Sequence, residues 1–505
     1  MFLGLDLGTS GLKGVVIDDE NNIVAVSSVT LNVDSPFPLW SEQDPLSWWQ
    51  AVKSVVAKLH LCLADKGLSL NQLQGIGLSG QMHGATFLDA KGKVLRPCIL
   101  WNDGRSFQEC EQLMKACPEL LSHSGNLAMP GFTAPKVLWL QNHEPDIFKQ
   151  LQYVLLPKDY LSYRLTGLMS SDCSDASGTL WLNPETRQWD DVLLKACGLS
   201  QANMPQVHEA CDLVGTLTAA VANELNLPQV PVVAGAGDNA AGAVGMGIIN
   251  PGQGLLSLGT SGVYFSVSEK HKANPENTVH AFCHALPDRW HQMGVTLSAA
   301  NSLSWLSNLV SKSVVDLLTA LDFFIEIKGF QRTKVIFLPY LNGERTPHND
   351  AQALGQFIGL SNDTCLEEMT LAVLEGVAFS LLDCQNALES ADSDIAELSL
   401  IGGGARSALW RQMLANVLNK PLVYRAGGEV GPGLGAARLA LIGVSGAQEH
   451  RDIDTVIKAA CPMPEVIATH YPQQNLQTYY KEKYALYQAY YEATKGLNQE
   501  LTKLG

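Results

Sequence analysis

Leu5-Asp6-Leu7-Gly8-Thr9-Ser10-Gly11 returns as Leu256-Ser257-Leu258-Gly259-Thr260-Ser261-Gly262, 251 residues further on in a chain of 505. Each copy follows an apolar, strand-like lead, and each runs on into a second such stretch, 12–18 and 263–267. Strand, small-residue turn, strand is the pattern of a β-hairpin. A Gly-Thr-Ser-Gly tip offers backbone N–H groups and two hydroxyls, and its glycines let the backbone come close to a phosphate. The copies differ in one chemically important place. Where the first has Asp6 the second has Ser257, so one loop alone brings a carboxylate. The pair predicts a polyphosphate held between two halves, with a single acid to direct a metal ion.

The bulk composition agrees with two large cores. A length of 505 residues suits two domains of roughly 250 each, and 46% apolar with 17% charged residues is globular. A net charge of −16 argues against nucleic acid as a partner, which needs a cationic surface. An anionic nucleotide must then be held locally, by backbone dipoles and a metal. Eleven cysteines, an odd number with no Cys-x-x-Cys pair, point to reduced thiols and a cytoplasmic enzyme rather than disulfides or zinc. The grouping His280, Cys283 and His284 lacks further ligands at metal spacing and is expected to be structural. No basic region precedes the first apolar run, which holds Asp6, so a signal peptide is not expected. The apolar window 230–250 contains Asp238 and many glycines, a buried element rather than a membrane span.

Along the chain, Asp44-Pro45 is an N-cap followed by proline at the first helical position. The helix it opens places Trp48, Val52, Val55, Val56 and Leu59 on one face. A strand over 74–78 ends in Ser79-Gly80-Gln81-Met82-His83-Gly84, a polar loop at the strand edge where α/β folds bind ligands. On these residues alone, His83 fits a ligand contact and a hydrogen-bonded turn equally. Trp101-Asn102-Asp103-Gly104-Arg105 follows the strand 97–100. The turn around Ile248 to Gly252 is the best boundary, giving domains 1–248 and 249–505. In the second half, a strand over 395–401 runs into Gly402-Gly403-Gly404, and Ser407 caps a helix with Trp410, Met413, Leu414 and Val417 on one face. Tyr480, Tyr484, Tyr487 and Tyr491 form a helical stripe, expected to be a packing face.

The familiar nucleotide signatures are absent. There is no Gly-x-x-x-x-Gly-Lys-Ser/Thr and no protein-kinase set of His-Arg-Asp with Asp-Phe-Gly, and Gly402-Gly403-Gly404 does not complete Gly-x-Gly-x-x-Gly because position 407 is Ser. Phosphoryl transfer to a hydroxyl needs a carboxylate base close to the acceptor. Asp238 is the one charged residue in 230–250, and Gly235-Ala236-Gly237 before it leave room for a ligand. Its bland role is the N-cap of a helix 239–246, and the two roles are compatible. Asp6 has a site-specific task as the acid missing from the duplicate, or else a local one as a strand-end acid. Lys13 is the cation beside the first loop.

Together these residues resemble the FGGY family of carbohydrate kinases over nearly the whole chain. Gly131-x-Thr133-x-x-Lys136-Val137-x-Trp139-Leu140 is similar to the first family signature, and Gly355-x-Phe357-x-Gly359-Leu360, continuing to Ala372-Val373-Leu374-Glu375, to the second. The motifs 79–84, 99–105, 237–242 and 338–348 add to the match. The resemblance implies an α/β fold of two ribonuclease H-like, actin/Hsp70-type ATPase domains with a cleft between them. It implies ATP and Mg²⁺ as cofactors, and phosphorylation of D-xylulose to D-xylulose 5-phosphate. By it, Asp238 accepts the proton of O5, and Met82, His83 and Asn239 touch the sugar. Asp6, holding the metal through water, faces the γ-phosphate with Thr9 and Ser10; Gly259 and Thr260 hold phosphates from the second loop; Gly403, Gly404 and Ser407 lie beside adenosine. No membrane partner is expected, and a homodimer is the analogy. Two rivals remain: another ketose or a polyol as acceptor, and a nucleotide-gated chaperone or scaffold on the same fold.

Overall fold

Both copies of the repeat form hairpins. In the computed structural model, which describes residues 1–328, 333–391, 395–428, 430–449 and 452–502, β1 (Phe2–Leu7) turns into β2 (Gly11–Ile17) with Leu7 opposite Leu12. β3 (Ile23–Thr30) adds antiparallel to β2, and β4 (Gly75–Gly80) lies parallel to β1 on its other side. β5 (Leu213–Thr216), β6 (Pro231–Val233) and β7 (Ala236–Gly237) complete a seven-stranded sheet, with β6 and β7 both parallel to β4.

The second sheet repeats the plan. β8 (Gly254–Leu258) and β9 (Gly262–Ser268) are the second hairpin. β10 (His280–Cys283) pairs with β11 (Trp290–Thr296), which lies antiparallel to β9. β12 (Leu398–Ile401) is parallel to β8, and β13 (Leu422–Arg425) and β14 (Val466–His470) follow. In both sheets the central order is an antiparallel strand, the two hairpin strands, then a parallel strand. A seven-residue repeat in sequence is thus the visible part of a repeat in topology. This is the two-domain α/β arrangement that the family resemblance implies.

Helices cover the sheets. α1 (Pro45–Ala64) starts where Asp44 accepts a hydrogen bond from Leu46 N, and all five of the face residues expected inside are buried. Each such side chain contributes roughly 1.5–3 kcal/mol over its exposed state. α2 (Thr133–His143) and α3 (Pro157–Thr166) flank the strand-end loops of the first sheet. The apolar window 230–250 divides into β6, β7 and α4 (Asp238–Gly245), all inside the protein. Among the described residues one helix, α5 (Leu366–Glu389), is long and apolar enough to cross a membrane, yet 89% of its apolar window is buried in the core.

α6 (Ala408–Leu418) follows β12 by a route that differs from expectation. Gly402 leaves the strand at φ 97°, a conformation that suits glycine, and Gly403–Arg406 form a 3₁₀ turn before the helix. Ser407 is nevertheless its cap, accepting from Trp410 N at 3.2 Å. α7 (Gly431–Glu449) belongs to the second half by sequence but lies across β1, β4 and α4 of the first. Backbones meet there. A Cβ on Gly77 would stand 1.9 Å from Ala436 O, and one on Gly435 1.8 Å from Ala241 O. α8 (Gln477–Thr502) buries Tyr480, Tyr487 and Tyr491 as a packing face, while Tyr484 donates its hydroxyl to Asp383.

Candidate active site

At both hairpin tips the carbonyls are taken up within the protein. Thr9 O accepts from Gln43 Nε2 at 2.7 Å and Ser10 O from Leu31 N at 3.0 Å. In the second loop Gly259 O accepts from Ala300 N and Thr260 O from Ala299 N, at 2.8 and 2.9 Å. Among the described residues the N–H groups of Thr9, Ser10 and Thr260 find no such partner, which leaves donors for an anion. The Thr9 hydroxyl, by contrast, is spent within the protein. It donates to Gln81 Oε1 at 2.8 Å and accepts from Trp101 Nε1 at 2.9 Å.

Asp6 and Asp238 are brought together by register. Asp6 stands opposite Ser79, and Gly237 opposite Gly80, so the two acids flank β4 about two strand spacings, roughly 10 Å, apart. Asp238 does not fill its bland alternative role as the N-cap. Gly237 takes that place with an extended backbone, and Asp238 is the first helical residue of α4. Its Oδ1 accepts from Asn239 N at 2.7 Å and Asn239 Nδ2 at 2.9 Å, whereas Oδ2 has no partner among the described residues. Burial, and then the charge of Asp6, raise the Asp238 pKa from 3.8 to about 7. Burial likewise raises Asp6 to about 6, against the opposing effects of a bond from Ser79 Oγ at 3.1 Å and of Lys13 across the hairpin.

Met82 and His83 line the same edge. Met82 fills the space against Gly237, where its Sδ would lie 3.0 Å from an added Cβ. His83 has φ 68°, and its ring Nδ1 lies 2.7 Å from Gly178 O. Burial lowers its pKa to about 3, so the ring is neutral. A carbonyl can only accept, hence Nδ1 carries the proton and Nε2 is an acceptor. A cavity of about 190 Å³ runs from Asp238 and Asn239 to Ser257 and Ile401 on the second sheet. A second cavity of about 250 Å³ adjoins Ile401 and Gly402 beside β13. Gly403 is open on its Cβ side, and Gly404 packs against Leu258.

Several residues at this edge carried no role in the sequence reading. Gln43 ties Trp48, Gln81 and Thr9 into one buried set of amide bonds behind the first tip. Lys136, in the quoted signature, is wholly buried and donates to the carbonyls of His83 and Gly131 at 2.9 and 2.7 Å. It pairs with no carboxylate among the described residues, and burial lowers its pKa to about 7 against the weaker opposing charge of Asp103. It holds His83 in its left-handed backbone. Behind Asp238, Lys158 pairs with Asp159 and Asp172, Ser174 donates to Asp172, and Gly237 N donates to Ser174 Oγ at 3.2 Å. Each is an ordinary core or loop residue by sequence pattern, and the partner that makes it informative comes from a distant segment. His280, Cys283 and His284 are buried, and no metal-binding group of three appears among the described residues.

Comparison with known proteins places the sequence and the fold in one family. Residues 1–245 match the N-terminal domain of the FGGY family of carbohydrate kinases, and residues 254–444 its C-terminal domain. A xylulose kinase of Escherichia coli (strain K12) is 48% identical over 504 residues, covering 100% of both chains. A xylulose kinase of Klebsiella pneumoniae is 47% identical over 482 residues, 93% of this chain and 98% of that one. The crystal structure of a xyloylose kinase from Brucella ovis superposes with a TM-score of 0.90 at 45% identity, covering 98% of this chain and 99% of that one.

Proposed function

The chain belongs to the FGGY family of carbohydrate kinases, and from that premise we propose that it transfers the γ-phosphoryl group of ATP to O5 of D-xylulose, as in xylose catabolism. The observation that carries the reading is Asp238: a carboxylate with one bound and one open oxygen, at a cavity that reaches from α4 to the strands of the second hairpin. Residues 1–248 and 249–505 form the two working units, one with the sugar loops and base, the other with the second hairpin and the adenosine side.

The chemistry is mostly placement. His83 Nε2 accepts a hydrogen bond from a sugar hydroxyl, Asn239 fixes the base, and Asp238 Oδ2 takes the O5 proton as the bond from O5 to the γ-phosphorus forms and the bond from that phosphorus to the bridging oxygen of ADP breaks. The amides of Thr9, Ser10 and Thr260 receive phosphate oxygens, and Gly403, Gly404 and Ser407 border the adenosine. Asp6 and Asp238 are two carboxylates whose pKa values are raised by burial and, at Asp238, by the neighbouring charge. Such a pair suits a cation that keeps its waters and shares itself between carboxylate and phosphate. Mg²⁺ held at Asp6 through water would supply charge neutralisation at the phosphoryl oxygens. All eleven cysteines are free thiols, which supports a cytoplasmic setting; a homodimer is the assembly we propose.

ATP consumption with and without D-xylulose, beside ribulose and glycerol, tests the reading. D-xylulose should give the highest kcat/KM, with phosphate at C5 by NMR. Turnover of another substrate alone, or ATP hydrolysis that needs a protein partner, would replace it.

A further inference from the structure

Arg345 stands in the loop between the strands Ile336–Leu338 and Gln356–Ile358. Its neighbours on both sides are bolted to the end of β11. Glu344 accepts from Thr296 Oγ1 at 2.6 Å and Leu297 N at 2.9 Å. Thr346 N donates to Val295 O at 3.0 Å, and Thr346 Oγ1 accepts from Val295 N at 3.0 Å. The side chain between them is therefore aimed by a rigid platform rather than by partners of its own.

Those partners are few. A guanidinium carries five N–H donors, and among the described residues the one hydrogen-bond contact of this group is His280 Nε2 at 3.4 Å. Among the described residues Glu344 makes no ion pair with the guanidinium; its carboxylate accepts from Thr296, Leu297 and the backbone N–H of Arg345 itself at 2.7 Å, and acts on the side chain through its charge alone. Arg345 is partly buried, and arginines withdrawn from water usually pair directly with a carboxylate. What this one faces belongs to the first half. Its Nη2 would lie 3.5 Å from a Cβ on Gly131, beside the Trp101 carbonyl. The rings of His83 and His280 both rest edge-on against Phe132, which brings the sugar loop to the same place.

We propose that Arg345 is a substrate-binding residue: its guanidinium donates to a sugar oxygen other than O5, so that the bound sugar bridges the two halves. This rests on the sugar reading of the His83 loop. A hydroxyl- and carbonyl-rich neutral ligand supplies the acceptors this fork lacks, and one closed hydrogen bond from a charged donor is worth roughly ten- to hundredfold in affinity.

Steady-state kinetics of Arg345→Met and Arg345→Lys beside the wild-type chain, varying D-xylulose and ATP separately, test it, with circular dichroism to verify folding. Arg345→Met should raise KM for D-xylulose roughly ten- to hundredfold and leave KM for ATP within about twofold, and Arg345→Lys should recover part of the loss. A folded Met variant with an unchanged sugar KM overturns the proposal, as does an equal rise in both KM values, the mark of a merely structural role. Should the Met variant not fold, a Lys variant with wild-type sugar KM overturns it equally. Failure of the wild-type chain to turn over D-xylulose overturns the substrate reading itself, whereas a loss confined to the variants leaves that reading intact.

Discussion

Asp238 combines two properties that oppose each other: it must be ionised to act, and its surroundings disfavour the ion. Asp238→Asn should keep nucleotide binding but lose D-xylulose phosphorylation by several orders of magnitude, and a purified variant within about tenfold of wild-type kcat would contradict the assignment. The same change should stabilise the empty protein. Because the folded pKa is raised from 3.8 to about 7, folding favours the protonated acid, so stability is lost as pH rises from 3.8 and the loss is complete above about 7. The gain in Tm from Asn is then largest at pH 8 and shrinks as pH falls towards 3.8. Thermal unfolding of both proteins from pH 4 to 8 checks the sign. In turnover, kcat/KM for the sugar should fall tenfold per pH unit below about 7, the limb set by the free enzyme. The sequence marked Asp238 as a lone charge in an apolar window, and that was enough to select it. Whether it caps or begins the helix depends on the backbone of Gly237, which residue types alone do not determine. Lys136 and Arg345 were equally visible as letters, but their meaning lies in the carbonyls of His83 and Gly131 and, among the described residues, in the absence of an ion pair to a carboxylate.

The two hairpins are nearly alike as elements and unequal as tools. Asp6→Asn should cost roughly a hundredfold or more in kcat, whereas Ser257→Ala at the matching position of the second hairpin should stay within about tenfold. Parallel kinetics on the two variants decide whether the acid marks the metal-facing copy. The hairpins were legible because turn chemistry is local. The tyrosine stripe of α8 and the capped start of α1 were legible for the same reason. The seat of α7 was not, because glycine spacing shows that something comes close without showing what. Gly435→Ala should destabilise by about 1–3 kcal/mol or more, since the added methyl meets the Ala241 backbone and cannot be accommodated by a rotamer change. Urea denaturation would show an unchanged midpoint if that contact is looser than it looks.

For the molecule as a whole, the repeat at 251 residues reported the architecture better than any local pattern. The two sheets share a central strand order, each around its own copy of the hairpin. A cleft between them gives closure a purpose, since expelling water strengthens every charge interaction inside. Small-angle scattering should show a smaller radius of gyration with D-xylulose and a non-hydrolysable ATP analogue together than with either alone. Cross-half contacts were the least legible level, because they join residues that no periodicity relates.

α7 has a consequence for how the protein is made. The first sheet needs a helix that leaves the ribosome roughly 200 residues after its last strand, a wait of roughly 10–40 s at 5–20 residues per second. During that time the glycine-lined face of β1 and β4 has nothing to cover it. A nascent chain halted near residue 250 should therefore be protease-sensitive and bind chaperones, and should gain protection only once residue 449 has emerged. The enzyme's two halves look separable on paper, but they mature as one.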